Sequence, residues 1–395
     1  MSGYLEGDEE PFQRARIEIR EEVGLDSEAV GLVRAGEVVR GFDEQTDTVW
    51  IVHPFLFNLY EQTIRLDWEH TEYRWVDPSE LHSYETVPKL EEAFERVRWD
   101  LQIPPPSLSG VLSDVSAVAQ DRIHGASFLG QRAIEVLEDT AQYSEASSVD
   151  ELFHDLLLVA FRLRKAQPGM ATIRNLTGRV LHEACKGRLQ TKCLEDFRTQ
   201  AIRVSQGILT NAKAAAEDAS RNTVAILPEE GQVLTHSYSA TVKRALELAV
   251  KSGKRLEVWV TESSPSFEGK QLAKDLINDG VPVRLISDSA AVAVVTEVDA
   301  VLVGADSILS DGSVVHKVGT KQIANVARSA KVPFYVACEA MKFSTSHFLG
   351  EPIELSNVFD VTPQTQVSNF ITENGVVETS EVAKIIKSLL REVYT

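Results

Sequence analysis

Val298-Asp-Ala-Val-Leu-Val-Gly-Ala-Asp306 decides the reading of the fold: four consecutive apolar residues, 300–303, end at a glycine, and an acid follows just beyond. A short apolar run closed by such a turn reads as a buried strand. Runs of the same texture lie at 224–227, 233–236, 256–260, 281–286 and 334–337, with helical stretches between them. Parallel neighbours need crossover connections, so this alternation predicts a mainly parallel sheet with helices on both faces over 223–395. Ligands of such sheets bind at the carboxyl ends of the strands, and site residues are sought there.

Upstream the texture changes. Residues 114–142, 149–165 and 194–219 show helical spacing of apolar residues, which predicts a helical subdomain over 111–222. Gln102-Ile-Pro-Pro-Pro-Ser-Leu-Ser-Gly110 has three consecutive prolines and predicts a stiff extended connector over 102–110. Before it, 1–101 holds a strand-like run at 48–56 and a helix pattern at 88–99.

Composition bounds what such a chain does. Of 395 residues, 59 are Asp or Glu against 40 Lys or Arg, a net charge of -19 that disfavours nonspecific binding to nucleic acid or an anionic membrane. Cys185, Cys193 and Cys338 form no CxxC pair and no dense disulfide spacing, which predicts a reducing, cytoplasmic setting. The polar, acidic start and the lack of an apolar run of about 18 residues predict neither signal peptide nor membrane anchor.

Four turns carry the residue types of anion sites, where small residues or backbone amides open a helix. His124-Gly-Ala-Ser127 offers Gly125 and Ala126. Leu234-Thr-His-Ser-Tyr-Ser-Ala-Thr241 offers His236, Ser237 and Ser239, with hydroxyls able to cap a helix or hold phosphate. Glu262-Ser-Ser-Pro-Ser-Phe-Glu-Gly269 offers Glu262. The last combines Asp306, just past its strand, with Asp311-Gly-Ser-Val-Val-His-Lys-Val-Gly-Thr320, where Lys317 can neutralise phosphate and Gly319 and Thr320 open the next helix. Singly, each turn reads equally as ordinary capping or a tight helix contact; their order along the chain is the signal.

These turns, with Asp288-Ser-Ala290, Pro333-Phe-Tyr-Val-Ala337, Lys342-Phe343, Phe359-Asp-Val-Thr-Pro363 and Ile371-Thr-Glu-Asn-Gly375, resemble the initiation factor 2B alpha/beta/delta and sugar-1-phosphate isomerase superfamily over about 110–394. The resemblance implies a helical subdomain followed by a Rossmann-like sheet, a ligand that is a phosphorylated sugar or a nucleotide, a homodimer or higher homo-oligomer, and no cofactor. In the isomerases a cysteine and an aspartate open the sugar ring and move hydrogen between its first two carbons. Asp306 matches the aspartate, and Ser237 stands at the cysteine. Gln167 and Ser264 stand where the family has arginines, and His316 where asparagine is usual. An alcohol exchanges protons far less readily than a thiol of pKa about 8.5. The leading expectation is thus a noncatalytic sugar-phosphate- or nucleotide-binding regulatory or assembly protein. The alternative is an aldose-ketose isomerase of the methylthioribose-1-phosphate or ribose-1,5-bisphosphate type, with Asp306 as acid and base. Incorporation into the initiation factor 2B complex is set behind both.

In the N-terminal segment Glu18, Glu21 and Glu22 share one helix face ending near Gly24, the ordinary reading of which is a solvated acidic face. Gly3, Glu9, Glu18, Ile19, Glu21, Glu22, Gly24 and Leu25 are similar to the Nudix box, and Trp68-Glu-His-Thr-Glu-Tyr-Arg-Trp-Val76 to a late strand and loop of that family. The likeness spans the later part of that α/β/α fold, from residue 3 to about 99. It implies magnesium held by Glu18, Glu21 and Glu22, and hydrolysis of nucleoside diphosphate derivatives as a further alternative. Ile17 stands at the box arginine, leaving Arg14, Arg16 or Arg20 to take its part.

Overall fold

The computed structural model describes residues 3–393 apart from 6, 8, 27–28, 45, 60–63, 77–80, 82–83, 88, 98–105, 351–352 and 354. The chain divides into two units, Met1–Pro104 and Pro105–Thr395.

In the N-terminal unit, α1 (Pro11–Val23) starts on a proline whose missing N–H costs nothing there, and stops at Gly24, whose left-handed backbone returns its N–H to the Arg20 carbonyl. The strands β1 (Val30–Ala35) and β4 (Phe55–Leu59) pair antiparallel, as do β2 (Val39–Asp43) and β3 (Thr48–Val52); α2 (Leu90–Val97) follows. The run expected as one strand at 48–56 is thus two, broken at His53-Pro54, where proline removes a ladder donor. Residues 68–76, expected to hold a strand, pair with nothing in a ladder, and Trp68 and Trp75 are exposed.

Of the expected connector, 102–105 lie outside the described residues, and the remainder is not extended. Pro106–Leu108 is a 3-10 turn that runs straight into α3 (Ser109–Gln120), because a proline at the head of a helical turn loses no hydrogen bond. Then come α4 (Ala126–Tyr143), α5 (Val149–Ala166), α6 (Ala171–Gln190) and α7 (Leu194–Ile226). The α4 helix is the hub, with Leu129, Ala133, Ile134, Val136 and Leu137 buried against α6 and α7. Each such side chain withdrawn from water contributes about 1.5–3 kcal/mol for the larger residues.

The run at 224–227, expected as a strand, is the last turn of α7. Its period continues the face that buries Ala219, Ser220 and Thr223, Leu227 caps the helix, and Pro228 stops it. The sheet therefore begins with β5 (Glu230–Thr235). After it the chain alternates: α8 (Ala240–Lys251), β6 (Arg255–Thr261), α9 (Glu268–Asn278), β7 (Val283–Ile286), α10 (Asp288–Val294) and β8 (Ala300–Val303). Next are β9 (Ser307–Ile308), β10 (Val314–Lys317), α11 (Thr320–Ala330), β11 (Phe334–Ala337), α12 (Thr345–Phe348), β12 (Phe359–Thr362), β13 (Asn369–Thr372), β14 (Gly375–Val377) and α13 (Val382–Val393).

The main sheet has the order β14-β13-β11-β8-β5-β6-β7, parallel except for the β13–β14 pair, and is flanked by helices as its alternation predicts. A small antiparallel sheet, β12-β10-β9, stands beside it. From β5 the chain winds outward through β6 and β7, then returns to β8 on the other side of β5 and winds out through β11 and β13. Val233 is paired with both Val258 and Ala300, so β5 and β8 are neighbours at which the winding reverses. That reversal opens a crevice at the carboxyl ends of β5 and β8. Val233, Leu234 and all of 300–303 are fully or almost fully buried, which is why 300–303 is uniformly apolar. No described helix is long and apolar enough to cross a membrane.

Candidate functional site

The crevice receives the turn after β5 and the turn after β8. Past Thr235 the chain leaves the strand, and Ser237 takes a left-handed backbone, φ 68°. Its N–H donates to Ser263 Oγ at 2.7 Å, and its hydroxyl donates to Glu268 Oε1 at 2.8 Å. Lys317 Nζ lies 3.3 Å from the same Glu268 oxygen. The second oxygen, Glu268 Oε2, is buried with no hydrogen-bond partner. Ser239 caps α8, accepting from Val242 N. The two turns touch: a Cβ on Gly304 would lie 2.6 Å from both Cβ and Oγ of Ser239, so only glycine fits there.

Asp306 is 5% exposed. Burial pushes its carboxyl up to about 6, against the pull of Lys342 and Lys317 and with a further push from Glu268. Lys342 is itself buried and paired with Glu339 at 3.2 Å. Burial alone would raise the Glu339 carboxyl, but Lys342 and the Thr241 hydroxyl hold it below its ordinary value. Ser127, on the first turn of α4, also donates to Glu339, at 3.0 and 3.1 Å to its two oxygens. This carboxylate therefore ties the helical subdomain to the crevice.

Two imidazoles stand in the wall with ring centroids 6.4 Å apart. His236 Nε2 lies 3.0 Å from the Val318 carbonyl, which can only accept, so Nδ1 accepts from Thr261 Oγ1 at 2.7 Å. Thr320 Oγ1 donates to the Lys317 carbonyl at 2.6 Å and so receives the Nδ1 proton of His316 at 2.9 Å. Burial lowers the pKa of both, so each is a neutral ring held in one tautomer.

The structure brings His236, Ser237, Ser239, Asp306, Lys317, Gly319 and Thr320 to the crevice. At Gly319, φ 106°, the backbone N–H already donates to Asp360 at 2.8 Å, and Lys321 N joins it, so a side-chain carboxylate caps α11 where an anion was expected. Gly125 is the N-cap of α4 and lies against the Tyr238 carbonyl, with Ala126 buried behind it. Glu262 pairs instead with Lys270 at 3.0 Å; the carboxylate at Ser237 belongs to Glu268. Gln167, at the expected arginine, spends its amide on the carbonyls of Val118, Ala119 and Asp121 at the end of α3. Ser264 is exposed, its N–H held by Asp288. Cys338 offers no thiolate, because burial pushes its thiol up.

Sequence reasoning missed Glu268, Glu339 and Lys342 as site residues. Glu268 and Lys342 lie within segments read as family markers, a signal that marks the segment without choosing the side chain.

In the N-terminal unit Glu18 is buried on α1, and Arg14 lies against it. Its Nε donates to Glu18 Oε1 at 2.6 Å, and its Nη2 lies 3.5 Å from Glu21. His70 Nε2 lies 4.0 Å from Glu22. Among the described residues no group of three His, Cys, Asp or Glu side chains is gathered to hold a metal. With a guanidinium already on Glu18, the described residues do not fit the magnesium that the resemblance implies.

The fold and crevice define a doubly wound α/β protein whose polar site lies at its topological switch point, walled by neutral imidazoles and built on carboxylates and lysines. The chain belongs to the Initiation factor 2 subunit family, which matches residues 122–357, all in the C-terminal unit. It is 28% identical over 291 residues to the ribose 1,5-bisphosphate isomerase of Thermococcus kodakarensis, covering 68% of this chain and 90% of that protein. It is 31% identical over 283 residues to an eIF-2B subunit 2-like protein of Pyrococcus horikoshii, covering 68% and 96%. The crystal structure of the translation initiation factor eIF-2B of Pyrococcus horikoshii OT3 matches with a TM-score of 0.59 at 27% identity, covering 68% of this chain and 97% of that one.

Proposed function

We propose that the C-terminal unit binds a phosphorylated aldose in the β5–β8 crevice and interconverts it with the ketose. The observation that carries this is Asp306, buried at the switch point with its carboxyl raised to about 6. Such a group is largely ionised at neutral pH yet takes a proton readily, which suits a base that must also act as acid. Aldose-ketose conversion moves a hydrogen from C2 to C1. In a sugar 1-phosphate the C1–O4 ring bond breaks as O4 takes a proton; Asp306 takes the C2 proton and its electron pair forms the C1=C2 enol, and the same carboxyl returns the proton to C1 as the C2 hydroxyl gives up its own and becomes the ketone. Lys317 and Lys342, whose charges act on Asp306, favour the negative charge that develops on the C2 oxygen as the enol becomes the ketone. The similarity to ribose 1,5-bisphosphate isomerases supports this ahead of the binding-only expectation.

A second reading, binding without turnover, is favoured by Ser237 at the cysteine position, since a serine hydroxyl does not ionise at neutral pH. The two are separated by incubating the full chain with ribose 1,5-bisphosphate and with methylthioribose 1-phosphate and assaying for ketose. Ketose that disappears in Asp306→Asn supports the isomerase. Saturable binding with no ketose from either sugar rejects it and leaves the binding module.

A further inference from the structure

We infer that Ser237 and Glu268 form a proton-accepting relay, which takes the proton of the ligand's C2 hydroxyl as the ketone forms. This deepens the isomerase reading and rests on it. Asp306 carries the proton that moves between carbons, and the hydroxyl proton needs an acceptor of its own.

The direction of the relay is fixed by its bonds. A carboxylate oxygen only accepts, so the Ser237 hydroxyl spends its hydrogen on Glu268 Oε1 at 2.8 Å and keeps its lone pairs to accept from a ligand. Lys317 Nζ lies 3.3 Å from the same carboxylate oxygen and helps to hold it in place. The bond from Ser237 N–H to Ser263 Oγ is buried, whereas the hydroxyl–carboxylate bond is only partly so, which leaves this pair open to a ligand in the crevice.

Both partners stand on strained backbone. Ser237 has φ 68°, and Phe267, the residue before Glu268, has φ 56°; neither is glycine. Such residues cost on the order of 1–3 kcal/mol each and persist where the surrounding structure demands them. Here the strain accompanies a hydroxyl from the β5 turn and a carboxylate from the first turn of α9 brought into contact. Helix capping explains neither: Ser239 caps α8, and Phe267 makes no side-chain cap to α9. A carboxylate in the first turn of α9 also suits the helix dipole, but that needs no partner on the β5 turn.

The step balances without an alkoxide. As the enol collapses, the C2 hydroxyl proton passes to Ser237 Oγ while the hydrogen of Ser237 passes to Glu268 Oε1. The electron pair of the broken O–H bond becomes the second bond of the ketone, and the C1=C2 pair takes the proton from Asp306 to form C1–H. Asp306 ends ionised and Glu268 ends protonated. The proton gained at Glu268 matches the one taken by O4, and water exchanges them between turnovers. Ser237 gives a proton as it takes one, so a hydroxyl that does not ionise at neutral pH suffices.

The test is an assay of the full chain in D2O with ribose 1,5-bisphosphate and with methylthioribose 1-phosphate, in which NMR reads both ketose and deuterium at C2 of the recovered aldose. The unaltered chain is compared with Glu268→Gln, which keeps the side chain's shape but accepts no proton, and with Ser237→Ala. Each variant should lower kcat about a hundredfold while KM stays within about threefold. The double variant should fall no further than either single one, because the two residues act as a unit. In the variants Asp306 still removes and returns the C2 proton, so deuterium should enter the recovered aldose faster than ketose forms. A kcat within about threefold of the unaltered chain in both variants overturns the inference. So does a loss of C2 exchange in step with ketose, which is what a merely distorted crevice produces. Either outcome leaves the isomerase reading standing. Should Glu268→Gln fail to fold, Ser237→Ala decides alone. No ketose from the unaltered chain with either sugar removes the isomerase reading, and the inference with it.

Discussion

At Asp306 function and stability pull in opposite directions. An unfolded aspartate titrates near 3.9, and burial raises this one to about 6 in the folded chain. Between these values the folded state holds more protons than the unfolded state, so stability falls as pH rises through that window. Above pH 6 the ionised carboxylate costs on the order of 3 kcal/mol, a cost that vanishes below about pH 4. Asp306→Asn is therefore expected to be more stable than the parent at pH 8 and to lose that advantage by pH 4, as read by urea unfolding at both pH values. In the same variant ketose formation is lost, and in the parent kcat rises with pH through about 6. A parent with flat activity across pH 5–7 argues against Asp306 as the base. Glu339 presents the opposite case, a buried carboxylate satisfied by Lys342, Thr241 and Ser127. Glu339→Ala strands a buried ammonium and should cost about 3–5 kcal/mol in urea unfolding at pH 7. A loss under 1 kcal/mol would mean that Lys342 finds water or another partner.

Among the elements, the turns that meet in the crevice are packed to the limit of glycine. Gly304→Ala drives a Cβ into Ser239 at 2.6 Å and should cost about 1–3 kcal/mol. Ser239→Gly, which surrenders a helix cap for only a few tenths of a kcal/mol, should recover most of that loss in the double variant, since it removes both clashing atoms. Additive losses in thermal melts would show that the strain lies elsewhere. These elements also mark what the sequence makes readable. Strands β8 and β11 are plain because burial leaves them uniformly apolar, and β5 and β6 show through the apolar residues of their carboxyl halves. The apolar end of α7 reads as another strand in the sequence, since four apolar residues look alike in either state until a neighbour is known. The small β12-β10-β9 sheet was hidden by its shortness and its polar residues, such as Asp360 and His316. In the site, turn chemistry pointed to Asp306, Ser237 and Lys317. It chose Glu262 where Glu268 does the contacting, because that choice depends on sheet order. The ends of β5 and β6 lie side by side, with Thr235 opposite Val260, and the α9 start is thereby set against the β5 turn.

Over the whole molecule, the site and the bulk of the buried core lie in one of the two units. The crevice, the α4 hub and the main sheet all belong to Pro105–Thr395. Among the described residues the N-terminal unit buries a smaller cluster, Ile19, Leu25 and Ala29, against the β1–β4 pair, a two-stranded ribbon that holds little stability alone. A chain confined to residues 105–395 should consequently fold and keep its sugar-phosphate affinity within about twofold. Scanning calorimetry of the full chain should show two transitions, the lower one missing from the shortened chain. Ligand binding strengthens only the unit that holds the crevice. At a hundredfold excess over its dissociation constant, ribose 1-phosphate should stabilise that unit by about 2.7 kcal/mol and raise the upper transition by about 4 °C, leaving the lower one in place. If the lower transition moves with the upper, the units unfold together and the first 104 residues contribute to the fold that holds the site. If the shortened chain fails to bind, some of the chemistry in the crevice depends on the N-terminal unit.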